Sequence, residues 1–218
     1  MQESLTKEKI LKKIRAALIE KTEHPFPKVD TESRLVAIPD TEREIVFAEA
    51  LRSKGGNFLF AENHIDFIEN FIGLCESKGW KEFNCFDQVI STFLNALDFN
   101  HNNIPTNNDN IEVIITTCEC LIAQSGTIVI SDQQHPASEF FTNAKVIIIL
   151  AGIDQVFYEL KDGLQYISLK YNKHYPSVLS MINGPFKNSE FKNQDPELQE
   201  VYLFLIESNK MLQLHELI

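Results

Sequence analysis

Between residues 41 and 164 the chain alternates short apolar segments with stretches of helical periodicity, and that alternation restricts the fold more than any other feature. Helical patterns over 41–54, 65–77 and 87–97 are interleaved with strand-like segments over 57–61 and 81–86, and Gly55-Gly56 and Gly79 stop the first two helices. Strands separated by helices of this length need crossover connections, which run the strands parallel. The spacing predicts further strands at 111–116, 127–131 and 145–151 and helices at 137–143 and 154–164. It also predicts an edge hairpin of 201–207 and 211–217 joined at Ser208-Asn209. The expected class is α/β, an open and mainly parallel sheet with helices on both faces.

Ahead of this region, Ile10, Leu11, Ile14, Ala17 and Leu18 recur at helical spacing among charged residues, which predicts an amphipathic helix over 4–21. Pro25, Pro27 and Pro39 then mark an extended connector. The expected organisation is an N-terminal helical arm and connector over 1–39 and an α/β domain over 40–218. The asparagine-rich stretch 100–110 reads as a solvated loop, with a lid over the site as its functional alternative.

Composition removes several classes of function. Acidic residues number 31 against 20 basic ones, a net charge of -11, which is the wrong sign for a nucleic-acid partner. No apolar run approaches the ~18 residues of a membrane span, and the first twenty residues lack the apolar segment of a secretory signal, so a cytoplasmic protein is expected. Cys75, Cys85, Cys118 and Cys120 form neither a Cys-x-x-Cys pair nor an iron–sulfur ligand run, and the six histidines show no ligand spacing. Glycine-rich nucleotide loops are absent from the sequence. The expectation is a chain with no cofactor, metal or disulfide framework of its own.

The stretch 118–131 drives a polar Gln124-Ser125-Gly126-Thr127 turn between two apolar segments. A carboxamide, two hydroxyls and a glycine backbone are there offered at one point on a sheet, a set able to hold a small anion or sugar-like ligand. A plain turn that needs glycine sterically explains the same residues. Its expected place is the carboxyl end of the strand over 111–116, where open α/β sheets bind ligands. Two further residues are candidates on position alone. Glu119 supplies a carboxylate one short element away, or is a surface charge; His135 lies in the loop after the motif strand, at the pocket rim or simply ahead of Pro136.

The segment through Ile122-Ala123-Gln124-Ser125-Gly126-Thr127-Ile128-Val129 resembles the Ile-Ala-Glu-Thr-Gly-Thr-Leu/Ile-Val motif of the LUD-domain family, the lactate-utilisation protein C group. A second patch, Ile182-Asn183-Gly184-Pro185-Phe186-Lys187, is similar to that family's Ile-Thr-Gly-Pro-Ser-Arg/Lys. The likeness is strong over 111–190 and architectural elsewhere. It implies the open sheet shared by ribose-5-phosphate isomerases, glucosamine-6-phosphate deaminases and coenzyme A transferases, and a part in oxidising L-lactate to pyruvate beside iron–sulfur partner proteins.

The departures from the motif bear on chemistry. Gln124 stands where the family carries glutamate, and in related coenzyme A transferases a glutamate is the covalent nucleophile. A carboxamide keeps the hydrogen bonding but is neither a nucleophile nor a base at neutral pH. Phe186 replaces the family's serine, Lys187 fits its basic position, and Glu119 falls at its aspartate. If the two turns face each other, Lys187 neutralises a carboxylate or phosphate held by the first.

The first reading is therefore an accessory protein of lactate utilisation that binds a small organic acid or phosphorylated ligand through Gln124, Ser125, Gly126, Thr127, Asn183, Gly184, Lys187 and His135. The enzymatic alternative is an isomerase, hydrolase or acyl/coenzyme A-type transferase working through Glu119 and Lys187. The third is a protein-interaction subunit without ligand.

Overall fold

The computed structural model describes residues 42–102, 111–133, 141, 144–185 and 199–207. All of them lie in the unit spanning Pro39–Ile218. The first helix, α1 (Arg43–Ser53), leads through Gly55-Gly56 into β1 (Asn57–Ala61), followed by α2 (His64–Lys78), β2 (Glu82–Asn84), α3 (Gln88–Ala96) and β3 (Asn100–Asn102). The caps are legible in the sequence. The Asn63 side chain accepts from the N–H groups of Ile65 and Asp66, Asp87 does the same for Val89 and Ile90, and Gly79 closes α2 with φ 74°.

After β4 (Ile111–Thr117) the chain leaves the main sheet. It forms a tight hairpin of β5 (Cys120–Ile122) and β6 (Thr127–Ser131), then returns as β7 (Ala144–Gly152) at the side of β4. A one-turn 3-10 helix (Ile153–Gln155), β8 (Val156–Phe157), α4 (Leu160–Tyr171), β9 (Leu179–Ile182) and β10 (Glu200–Ile206) complete the order. Six strands make a wholly parallel sheet in the order β1-β10-β7-β4-β2-β3. The other four form a second sheet, β8-β5-β6-β9, with antiparallel β5–β6 and β6–β9 pairs.

The central strands are nearly continuous apolar runs because both faces of the large sheet are covered. Along β4, β7 and β10 the side chains alternate. Ile114, Ile147, Ile149, Leu203 and Leu205 join Phe47 and Leu51 of α1 and Leu121, Ile128 and Ile130 of the second sheet. Val113, Ile115, Ile148, Leu150, Phe204 and Ile206 join Phe67, Phe71 and Cys75 of α2 and Ile90, Phe93 and Leu94 of α3. On that second face the Phe67 ring centroid lies 5.3 Å from that of Phe93 and 5.4 Å from that of Phe204. Fully burying each phenylalanine contributes about 1.5–3 kcal/mol. The far face of the second sheet is covered by α4, whose Ile167 packs on Cys120, Ile122 and Val129. The α/β class with helices on both faces is thus the observed one, and no helix among the described residues is long and apolar enough to cross a membrane.

Three expectations are corrected. The segment 201–207 is not an edge hairpin: β10 lies inside the parallel sheet between β1 and β7, where its run from Val201 to Ile206 is buried on both faces. Its expected partner, 211–217, lies outside the described residues. The helix expected over 154–164 begins at Leu160, after a 3-10 turn and the short strand β8, because Val156 is drawn into the core beneath α1. The stretch 100–110 opens not as loop but as an edge strand, Asn100–Asn102, paired with β2. The helix over 4–21 lies outside the described residues, as does all but Phe141 of the helix over 137–143.

Candidate functional site

The motif turn sits at the tip of the β5–β6 hairpin rather than at the carboxyl end of β4. Register pairs Ile122 with Thr127, and the connection is a 3-10 turn, Ala123–Ser125, closed by Gly126 with φ 58°. A side chain on Gly126 would meet the Leu51 amide nitrogen at 2.6 Å and the Ala50 carbonyl carbon at 2.7 Å. The close approach that requires glycine is therefore made by α1, and it explains both the residue and its left-handed backbone. The turn consequently lies beside the C-terminal half of α1, where the chain passes into the start of β1.

The second patch meets the first at the same place. β6 pairs with β9, which ends at Ile182 and delivers Asn183, Gly184 and Pro185 alongside the turn. Gly184, with φ 104°, has Lys54 against it: a side chain there would come within 3.0 Å of the Lys54 Cβ and carbonyl oxygen. Lys54 in turn donates from Nζ to the Ser125 carbonyl at 2.5 Å. Thr127 donates from its hydroxyl to Asn183 Oδ1, 56 residues away in sequence. The two patches are thus neighbours, tied directly and through Lys54, the residue that follows α1.

Proton counting orders this cluster. A threonine hydroxyl carries one hydrogen, and that of Thr127 goes to Asn183. In the 2.6 Å contact between the Ser125 and Thr127 hydroxyls, Ser125 must then be the donor. Neither hydroxyl retains a proton for a ligand, contrary to the expectation that both are on offer. Gln124 donates its backbone N–H to the Tyr158 carbonyl at 3.1 Å, and its side chain is exposed.

Glu119 is elsewhere. It directly precedes β5 and lies at the opposite end of the hairpin from Gln124, about 10 Å away for a three-residue strand. It is fully buried rather than a surface charge. The reason is its partners: Ser131 and Tyr171 donate to Oε1 at 2.5 and 2.7 Å, and the Lys170 ammonium reaches Oε2 at 2.9 Å. Burial opposes the charged form of Lys170, but the bond to Glu119 and the charges of Glu119 and Tyr171 outweigh it and raise its pKa. Burial, then the bond to Glu119, raises that of Tyr171.

Of the residues expected to form a site, Gln124, Ser125, Gly126, Thr127, Asn183 and Gly184 are brought together, and Glu119 is not among them. Lys187 and His135 lie outside the described residues. Lys54 was missed. It precedes Gly55-Gly56, a signal that reads as a helix stop and says nothing of which turn the lysine will reach.

Such a sheet, with a hairpin inserted between two neighbouring parallel strands, defines a class of α/β domain. The LUD domain family model matches residues 45–204, nearly all of the described body, and the chain belongs to that family. Among solved structures, the crystal structure of a DUF162 family protein from Deinococcus radiodurans is similar with a TM-score of 0.58 at 10% identity, covering 78% of this chain and 99% of that one. That likeness concerns the fold. No curated protein sequence matches.

Proposed function

We propose that this LUD-domain chain is a cytoplasmic accessory protein of L-lactate utilisation that holds a small organic acid where its two motif turns meet, while iron–sulfur partner proteins carry the oxidation of lactate to pyruvate. The observation that carries the reading is the Thr127–Asn183 hydrogen bond. It joins, across 56 residues, the two patches that resemble the family's motifs. Such a junction beside a cation and two carboxamides can bind a ligand; the carboxamide of Gln124, in place of the acidic side chain, is itself no nucleophile. Glu119 does not supply one, since it is enclosed by Ser131, Lys170 and Tyr171 a hairpin's length away. This division weighs against an isomerase, hydrolase or transferase built on Glu119 and the motif turn together.

A thermal-shift panel of L-lactate, pyruvate, sugar phosphates and coenzyme A esters tests the proposal. A ligand at 100 times its dissociation constant adds roughly 2.7 kcal/mol, a rise of several degrees for a chain of this size. A rise with L-lactate or pyruvate is the expected result. A panel without any rise would sink the ligand reading and favour a subunit that acts by docking alone.

A further inference from the structure

We infer that the free edge of β1 is an interface at which two copies of this chain join their large sheets, each β1 running antiparallel to the other. β1 is the outermost strand of the six-stranded sheet and pairs with β10 alone. Register decides which of its backbone groups are free. The Ala61 carbonyl accepts from the Glu207 N–H, so Ala61, and with it Leu59 and Asn57, turn their backbone groups toward β10. Phe58 and Phe60 alternate with them and turn theirs outward. The next outward N–H groups along the chain are closed locally. That of Gly56 goes to the Leu51 carbonyl and that of Glu62 to Asp66 Oδ2, both at 3.1 Å. What stays open, among the described residues, is a short window of donors and acceptors on Phe58 and Phe60, centred on Leu59.

An open apolar edge is a template for another strand, and chains ordinarily guard it with a charge, a proline or a very short strand. The opposite edge of this sheet is guarded in that way, since β3 is only Asn100-His101-Asn102. β1 is Asn57-Phe58-Leu59-Phe60-Ala61, with neither charge nor proline, and Phe60 is 43% exposed.

The symmetry of the window selects a second copy as its occupant. A two-fold axis at Leu59 sets Phe58 of each chain opposite Phe60 of the other, and each such pair exchanges both of its backbone hydrogen bonds. The side chains agree with that register. Phe58 packs on the α1 face of the sheet, 6.3 Å from Phe47 between ring centroids, and Phe60 alternates back to the same face, so each cross-chain pair is aromatic on aromatic. Leu59, on the other face, meets Leu59 of the other copy. The charges agree as well. Antiparallel pairing lays the end of β1 that follows the exposed Arg52 and Lys54 against the end that runs into the exposed Glu62. An unrelated extended peptide has to bring this register and polarity with it; the chain's own β1 already carries both.

The test is sedimentation velocity of the full chain, wild type and Phe60→Lys, in a concentration series up to about 200 μM and in about 0.3 M sodium chloride, which screens the repulsion between two molecules of net charge -11. Lysine puts a charge on the exposed edge and leaves the β10 ladder intact. Wild type should pass from one chain to two along the series, and Phe60→Lys should dissociate at least about tenfold more readily. Diamide cross-linking of Leu59→Cys and Asn57→Cys reads the register, against a background of four buried native cysteines. On the axis the two thiols of Leu59→Cys face each other in a non-hydrogen-bonded pair, with Cα atoms about 4.5 Å apart and within disulfide reach, so a covalent dimer is expected. Asn57→Cys lies opposite Ala61 and should remain a single chain. A wild type that stays a single chain throughout would overturn the second copy as occupant and leave the edge to an extended segment of another protein. A dimer that Phe60→Lys does not weaken, and that both cysteine variants cross-link equally, would overturn β1 as the interface. Should Phe60→Lys fail to fold, the wild-type series and the cysteine variants decide.

Discussion

The carboxylate of Glu119, fully buried, holds the ammonium of Lys170 at 2.9 Å across 51 residues of sequence. The contact fastens the last turn of α4 to the point where the chain leaves the parallel sheet for the hairpin. Removing the lysine leaves a buried carboxylate with hydroxyl partners only. For Lys170→Met we expect a loss of about 2–3 kcal/mol, less than the about 3–5 kcal/mol of a fully enclosed pair because Lys170 is partly solvated and screened. Urea midpoints of the two proteins at pH 7 measure it.

The same pair sets a pH window. The pKa of Lys170 is higher folded than unfolded, so its stabilisation is complete below the ordinary value of 10.5 and is lost as the pH rises through the folded value. The gap between wild type and Lys170→Met should therefore be constant from pH 7 to about 9 and shrink at higher pH. A gap that widens with pH would contradict the assignment.

Gly126 is a packing residue. Alanine there meets α1 backbone atoms within 2.7 Å and adopts a left-handed conformation. The two effects cost about 1–3 and about 1–2 kcal/mol respectively, and a fall in the thermal midpoint of roughly 4 °C or more is expected for Gly126→Ala. A midpoint unchanged within 1 °C would show that α1 does not lie against the turn.

Thr127→Val keeps the shape of the side chain and removes the link between the motif turns. Ser125 loses its acceptor and Asn183 its donor, at a cost of about 1–2 kcal/mol. Thr127→Ser, which keeps the hydroxyl, should stay near wild type. Denaturant midpoints of the pair separate the hydrogen bond from the packing.

All four cysteines are buried and free. Burial pushes the Cys85 thiol up to about 11 and those of Cys75 and Cys120 up to about 12, and raises Cys118 well above its ordinary range. The folded protein at pH 8 should leave all four unmodified by iodoacetamide over minutes, and mass spectrometry after unfolding in guanidinium should find four alkylated sites. Rapid labelling of the folded chain at Cys118 would show that the hairpin opens.

Much of the fold is written locally. Asn63 and Asp87 cap α2 and α3 with their own side chains, Gly79 ends α2, and the strand over 57–61 follows from its apolar pattern and the glycines before it. These depend on contacts a few residues apart, which is what periodicity and capping residues report. The site is different. The motif turn was recognisable as a turn that needs glycine at 126, but what stands against Gly126 and Gly184 was not. Their neighbours are α1 and Lys54 just after it, more than 70 residues earlier in the chain.

The corrections have one origin. β10 reads as a terminal strand and is instead enclosed by β1 and β7, because the cores on the two faces of the sheet need an apolar strand at that position. Glu119 reads either as a site carboxylate or as a surface charge, and is buried because Lys170 and Tyr171 arrive over it on α4. The sequence by itself determined the alternation of strands and helices, the α/β class and the two motif patches, since backbone preference, capping and apolar period act within a few residues. Only the tertiary structure decided strand order, the second sheet, the separation of Glu119 from Gln124 and the placing of Lys54 between the motif turns, since each arises from burial and hydrogen bonding between segments that the chain brings together only on folding.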